Sequence, residues 1–204
     1  MKKKIVFLLG FQKCGTTWLH NLLLNQPGYI NNQFAEKELN IWINYKTGNF
    51  LSRFKKSQNL LQFLLFVNPN FFYFKYFKYL IKNNFFSSDL SPSNCILNKK
   101  DINYIKEKFN NSGIDVKFLT FIRDPLQRCL SAFNMYKIAN DKNGNWGHLV
   151  SQGNSIDEQF NFFFKTKNCS MRTQYEKILN EVSCLGRDDF KMFIYEDFFF
   201  NNNS

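Results

Sequence analysis

Residues 5–19, IVFLLGFQKCGTTWL, constrain the fold of this chain more than any other stretch. Ile5–Leu9 is a short unbroken apolar run with β-branched and aromatic members, the pattern of a parallel strand buried on both faces. Gly10 and Gly15 follow, five positions apart, and then Thr16-Thr17. Trp18, Leu19, Leu22, Leu23 and Gln26 recur at helical spacing until Pro27-Gly28 stops them. A strand, a glycine loop and a helix in that order make an anion cradle. Glycines let the backbone turn, exposed N–H groups point inward, and the helix brings its positive end to the anion. The spacing is that of the phosphate-binding loop G-x-x-x-x-G-K-[ST], with one departure. Thr16 stands where that loop has Lys, and Lys13 lies inside the loop instead. The usual Lys reaches the β- and γ-phosphates of a nucleoside triphosphate. A Lys within the loop suits a shorter anion.

The rest of the chain alternates strands and helices. Tyr29–Ile30 reads as a brief second strand. Ala35–Trp42 carries Lys37-Glu38 before an apolar turn, read from the residues alone as an exposed helix start with Glu at its positive end. Residues 50–84 read as two helices broken at Asn68-Pro69, their aromatic stripes at core-packing rather than base-stacking spacing. Phe85–Asp89 reads as a strand entering a polar turn, Leu90–Ser93, and Asp101–Phe109 as a helix. Val116–Ile122 is the strongest strand and runs into Arg123-Asp124-Pro125. Asp124 suits an N-cap and Pro125 a first helical position, with Leu126, Leu130 and Phe133 as the apolar face. Arg123 thus sits at the carboxyl end of a central strand, where open α/β sheets bind ligands. Ser131 lies two turns into that helix, and Arg128 between them reads as a brace. Asp141–Ser155 reads as a loop, Ser170–Leu185 as a helix and Lys191–Tyr195 as a last strand. The expected class is α/β: a P-loop-like three-layer sandwich, one parallel sheet with helices on both faces, as a single domain over 1–204.

Composition narrows the partners. The net charge of +11 favours an anionic ligand. The lysines are scattered, and no nucleic-acid recognition motif accompanies them, so no nucleic-acid partner is expected. Aromatics reach 19%, driven by 26 Phe; with the heavy use of Asn and Lys this is read as genome base composition. The cysteines, Cys14, Cys95, Cys129, Cys169 and Cys184, are odd in number and lack a C-x-x-C pair. They point to reduced thiols in a cytoplasm rather than a disulfide or zinc framework. MKKKIVFLLG lacks a signal-peptide apolar region and cleavage site. The longest uncharged stretch, Ser57–Phe74, is interrupted by Asn68-Pro69-Asn70, so no membrane insertion is expected.

Two anion sites on one sheet edge, Gly10–Thr17 and Arg123 with Ser131, suit a ligand with two separated anionic groups. GFQKCGTTWL resembles the 5′-phosphosulfate loop of sulfotransferases that use 3′-phosphoadenosine 5′-phosphosulfate (PAPS). FIRDPLQRCLSAF is similar to that family's 3′-phosphate segment, R-D-P-x-x-R-x-x-S. KELNIW resembles the Lys-Glu segment of the carbohydrate O-sulfotransferase branch, SSDLSPSN its acidic-x-S/T-P-S turn, and YEDF its late strand end. The resemblance spans nearly the whole chain. It implies that Lys13 contacts the phosphosulfate and that Gly15, Thr16 and Thr17 hold the 5′-phosphate. Cys14 would contribute backbone only, and Trp18 belongs to the same cofactor-binding set. Arg123 and Ser131 would take the 3′-phosphate and Glu38 would be the general base. Lys37, Asp89, Ser91 and His148 are the expected acceptor-side residues. Another branch of the family uses His as base; His20 and His148 are the candidates here, ranked behind Glu38. The acceptor is expected to be a carbohydrate or small-molecule hydroxyl, with no metal required. Two features depart from the family. Asn94 stands where an aromatic is common, and the chain ends soon after Glu196-Asp197, which reads as a fragment, a shortened enzyme or a weakly active relative. A P-loop kinase or nucleotide hydrolase and a non-catalytic binder of anionic polymers are the alternatives.

Overall fold

Four parallel strands carry the architecture among the described residues. They are β1 (Lys4–Leu8), β2 (Phe86–Asp89), β3 (Asp115–Ile122) and β4 (Phe190–Ile194), in the order β2-β1-β3-β4. The computed structural model describes residues 3–32, 34, 37–48, 60–82, 85–143, 147–150 and 153–199. Along β1, Ile5, Phe7 and Leu8 are all inaccessible to solvent. Successive side chains on a strand point to opposite faces, so both faces of the sheet are covered at this point. β1 and β3 pair from Lys4↔Asp115 to Leu8↔Leu119, and the Leu9 N–H extends the ladder to the Leu119 carbonyl at 2.8 Å. This register delivers the loop after β1 and Arg123 after β3 to the same edge.

The helices are α1 (Thr16–Leu24), α2 (Ile41–Lys46), α3 (Leu60–Val67), α4 (Pro69–Leu80), α5 (Lys99–Asn110), α6 (Pro125–Asn143), α7 (Gly147–Val150), α8 (Ile156–Lys165), α9 (Lys167–Met171), α10 (Tyr175–Val182) and α11 (Tyr195–Phe199). With the sheet they make the expected α/β fold, a parallel sheet flanked by helices. The break at Asn68-Pro69 is also present: Asn68 caps α4 by accepting from the Phe71 N–H, and Pro69 takes the first helical position. Residues 50–59 and 83–84 of that region lie outside the described residues. Asp124 caps α6 as expected, its Oδ1 accepting from the Gln127 N–H at 2.8 Å.

Several expectations are corrected. Tyr29–Ile30 makes only an isolated bridge, Tyr29↔Phe86. Within 141–155, α6 continues to Asn143 and α7 follows, while 144–146 and 151–152 lie outside the described residues. α8 was not anticipated, although Ser155 and Glu158 form a capping box legible in sequence. The expected Ser170–Leu185 helix is split into α9 and α10, leaving Arg172–Gln174 between them. The apolar face of α6 is also displaced. Leu126 is 52% exposed, and the buried row is Cys129, Ala132, Phe133 and Tyr136, at i, i+3, i+4 and i+7. The buried Arg128 adjoins that row: its Nη2 donates to the Cys169 carbonyl at 3.3 Å and approaches the Cys129 sulfur at 3.0 Å.

The core has two parts. The larger packs around the sheet, α1, α4 and α5. The smaller joins α6, α7, α8 and α9. In the loop after β1, Gly10 holds φ +86° and a Cβ would lie 2.6 Å from that of Cys95. Gly10→Ala therefore combines left-handed strain with a clash, and is expected to lower unfolding stability by roughly 2–4 kcal/mol in urea titration.

Candidate active site

The loop from Gly10 to Gly15 is built for close approach to its backbone. Gly10 and Gly15 both hold φ +86°, and Lys13 sits at φ 68°, one of two non-glycine residues with positive φ among those described. α1 starts at Thr16 with no side-chain cap and no acidic residue in its first turn, so its leading N–H groups remain available to an anion. Arg123 braces the loop from the neighbouring strand. Its Nη1 donates to the Lys13 carbonyl at 3.2 Å, and its guanidinium lies 4.4 Å from the centre of the Tyr195 ring. The Tyr175 hydroxyl in turn donates to the Arg123 carbonyl at 2.8 Å. Arg123 Nε is buried with no hydrogen-bond partner among the described residues. An orphaned buried donor on a cation is what an anionic ligand would satisfy.

Lys37 and Glu38 also reach the cavity at the loop. Lys37 Nζ donates to Thr16 Oγ1 at 2.9 Å and Thr17 Oγ1 at 3.1 Å, and pairs with Glu38 Oε1 at 3.1 Å. The two residues do not start a helix, as their charge pattern suggested. α2 begins later, after Asn40 at φ 53°; Ala35 and Glu36 lie outside the described residues. A hydrogen-bonded chain explains the difference. The Asn40 N–H donates to Ser91 Oγ at 2.9 Å, and Ser91 Oγ donates to Asp89 Oδ1 at 2.6 Å. The Tyr73 hydroxyl donates to Asp89 Oδ2 at 2.7 Å. Asp89 and Ser91 are fully buried, so they offer no surface to an acceptor. They act beneath the site, fixing the segment that carries Glu38. Burial pushes the Asp89 carboxyl up, and hydrogen bonds from Ser91 and Tyr73 oppose that push.

The result is a cavity of about 340 Å³ that brings together Lys13, Gly15, Thr16, Thr17, Trp18, Lys37, Glu38, Arg123 and Ser131. Cys14 is not in its wall; its side chain turns into the core, where burial pushes the thiol up to about 12. His148, on α7, lies in the wall of neither this cavity nor its neighbour. Gln12, Met135, Tyr195 and Phe199 line the cavity without having been anticipated. The YEDF segment was the one available signal for Tyr195, whose helix packs on Gly15: a Cβ there would lie 3.2 Å from the Tyr195 ring. Asn94, the departure noted in sequence, is buried and donates to the Leu8 carbonyl at 3.1 Å, closing the end of β1.

A second cavity of about 350 Å³ adjoins the first and shares Gln12, Glu38 and Met135 with it. Asn40, Asn44, Thr47, Ser93, Tyr136 and Arg172 line the remainder with Ile43 and Pro92. The arrangement is thus a cationic cradle and a polar chamber with one carboxylate at their common wall.

The family model for the sulfotransferase domain matches residues 3–201. The chain belongs to the sulfotransferase family. A solved structure, the sulfotransferase from Alicyclobacillus acidocaldarius, shares the fold with a TM-score of 0.57 at 16% identity, covering 97% of this chain and 75% of that one. No curated protein sequence matches this one. A sulfotransferase moves a sulfuryl group to an acceptor, and the cationic cradle beside a second chamber suits such a two-substrate reaction. Among the described residues there is no cluster of three metal-ligating side chains, and no helix is long and apolar enough to cross a membrane.

Within this sulfotransferase, burial holds the Lys13 ammonium below the usual lysine range, and the positive charges of Arg123 and Lys37 add to that effect. A bound anion favours the protonated form and raises the pKa again. Anion affinity should therefore weaken as pH rises through the lowered Lys13 pKa, with proton uptake on binding in that range. Calorimetry with inorganic sulfate in buffers of different ionisation enthalpy should show this uptake, and Lys13→Met should remove it.

Proposed function

We propose that this sulfotransferase takes its sulfuryl group from PAPS and passes it to a hydroxyl of a carbohydrate. The observation that carries the reading is the position of Glu38, the carboxylate common to the cationic cradle and the polar chamber. Backbone N–H groups at Gly15 and Thr16, with the Thr16 and Thr17 hydroxyls, would hold the 5′-phosphate. Arg123 and Ser131 would take the 3′-phosphate, and the aromatic rings of Trp18, Tyr195 and Phe199 supply an apolar wall for the adenine. The unpartnered Arg123 Nε supports this assignment.

Chemistry follows from the same residues. Glu38 accepts the proton of the acceptor hydroxyl as its oxygen attacks sulfur, and the bond from sulfur to the bridging phosphate oxygen breaks in line. Lys13 offsets the charge that develops on that oxygen. Lys37, bound to both loop threonines and to Glu38, keeps base and cradle in register. The free thiols of all five cysteines suit a reducing compartment such as the cytoplasm.

Transfer of label from radiolabelled PAPS to a panel of sugar acceptors tests the proposal. Both Glu38→Gln and Lys13→Ala should lower kcat by about 10²–10³-fold. Glu38→Gln should retain its affinity for adenosine 3′,5′-bisphosphate, because Glu38 serves the acceptor. Near-normal turnover by Glu38→Gln would remove the base assignment.

A further inference from the structure

The polar chamber contains a cation that the sulfuryl-transfer scheme does not use. Arg172 lies in the break between α9 and α10 and lines the second cavity but not the first. One end of its guanidinium is fixed: Nη1 donates to the Asn168 carbonyl at 3.1 Å and to Asn168 Oδ1 at 2.5 Å. That anchor sets the fork in place, and none of the ion pairs among the described residues involves Arg172. A fixed guanidinium without a carboxylate presents donors to whatever enters the chamber.

The remaining wall determines what kind of molecule can bring the matching anion. Asn40, Asn44, Thr47, Ser93 and Tyr136 line it with amides and hydroxyls; Ser93 donates to Asn40 Oδ1 and Thr47 to the Ile43 carbonyl, which leaves hydroxyl lone pairs to accept from a polyhydroxy ligand. Tyr136 also positions Gln12, its hydroxyl donating to Gln12 Oε1 at 3.3 Å, and Gln12 spans the wall between the two cavities. Glu38 at the shared wall repels an anion placed beside it. Arg172, confined to the second chamber, attracts one placed away from that wall. The two charges therefore orient an acceptor with its reacting hydroxyl toward Glu38 and its anionic group toward Arg172.

We propose that Arg172 makes this enzyme selective for a sugar acceptor that carries an anionic group, such as a carboxylate, in addition to the hydroxyl that is sulfated. This rests on the assignment of the second chamber to the acceptor. A charge-assisted, forked hydrogen bond of this kind is expected to favour the acidic acceptor by about ten- to hundred-fold.

Methyl β-glucoside and methyl β-glucuronide form a suitable pair, since they differ by a carboxylate in place of a hydroxymethyl group. Affinity for each is measured by NMR titration with adenosine 3′,5′-bisphosphate present, and kcat/KM for each by label transfer from PAPS. Wild type should favour the glucuronide in both, Arg172→Ala should lose the preference, and Arg172→Lys should restore part of it. Bisphosphate affinity, which does not involve Arg172, reports that Arg172→Ala is folded. Equal affinity of wild type for both glycosides, or a glucuronide preference that survives Arg172→Ala, would overturn the inference. Arg172-dependent glucuronide binding without any label transfer would instead sustain it and remove the PAPS-dependent reaction proposed above.

Discussion

Three positive charges held around one strand-end loop set the terms for this structure. Lys13, Lys37 and Arg123 line a single cavity whose one carboxylate is Glu38. Like charges about 4 Å apart repel by about 4 kcal/mol at an effective dielectric near 20, so such a cluster persists only where the fold constrains it. Two of the three cations are held by direct contacts. Arg123 is tied to the Lys13 carbonyl and lies over Tyr195, and Lys37 is tied to two threonine hydroxyls and to Glu38. The parallel register of β1 and β3 makes these restraints possible by ending both strands at the same edge. An anion entering the cradle relieves repulsion that is already present, which is why the free site favours one.

The segment that carries Glu38 depends on a different device. Tyr73 lies at zero exposure against Trp42 and Phe77, with ring centres at 5.3 and 4.9 Å. Its hydroxyl starts the chain through Asp89 and Ser91 to the backbone of Asn40. The aromatic core is thus coupled to the segment bearing Glu38 by buried hydrogen bonds, each costly to leave unmade. The aromatic-rich stretch after residue 60, unremarkable as composition, has a positional role through this one tyrosine.

Local rules were legible in sequence where one residue's conformation decided the outcome. The glycine loop, the Asn68-Pro69 break, the Asp124 cap and the strand before Arg123 all follow from nearest-neighbour chemistry. Legibility failed where long-range contacts compete. Lys37-Glu38 has the charge pattern of a helix start, but Ser91, distant in sequence, takes the Asn40 N–H and delays the helix. Asp89 and Ser91 read in sequence as acceptor-side residues, yet both are fully buried. The apolar face from Tyr175 to Leu185, read as one helix reaching back to Ser170, hid the break at Arg172–Gln174, and Arg172 lines the second cavity. Tyr195 and Phe199 lie far from the loop in sequence, and only packing brings them to it.

By itself the sequence determined the strand, the loop with its internal Lys13, the second cation at Arg123 and the family to which those motifs belong. It could do so because glycine conformation, helix caps and short apolar runs act over a few residues. Tertiary structure alone decided that Lys37 would join the loop threonines, that Glu38 would stand between two cavities, that Asp89 would work from below and that Arg172 would line the second cavity. Those outcomes depend on which strand ends share an edge and which buried polar groups must find partners, and neither is written in local spacing.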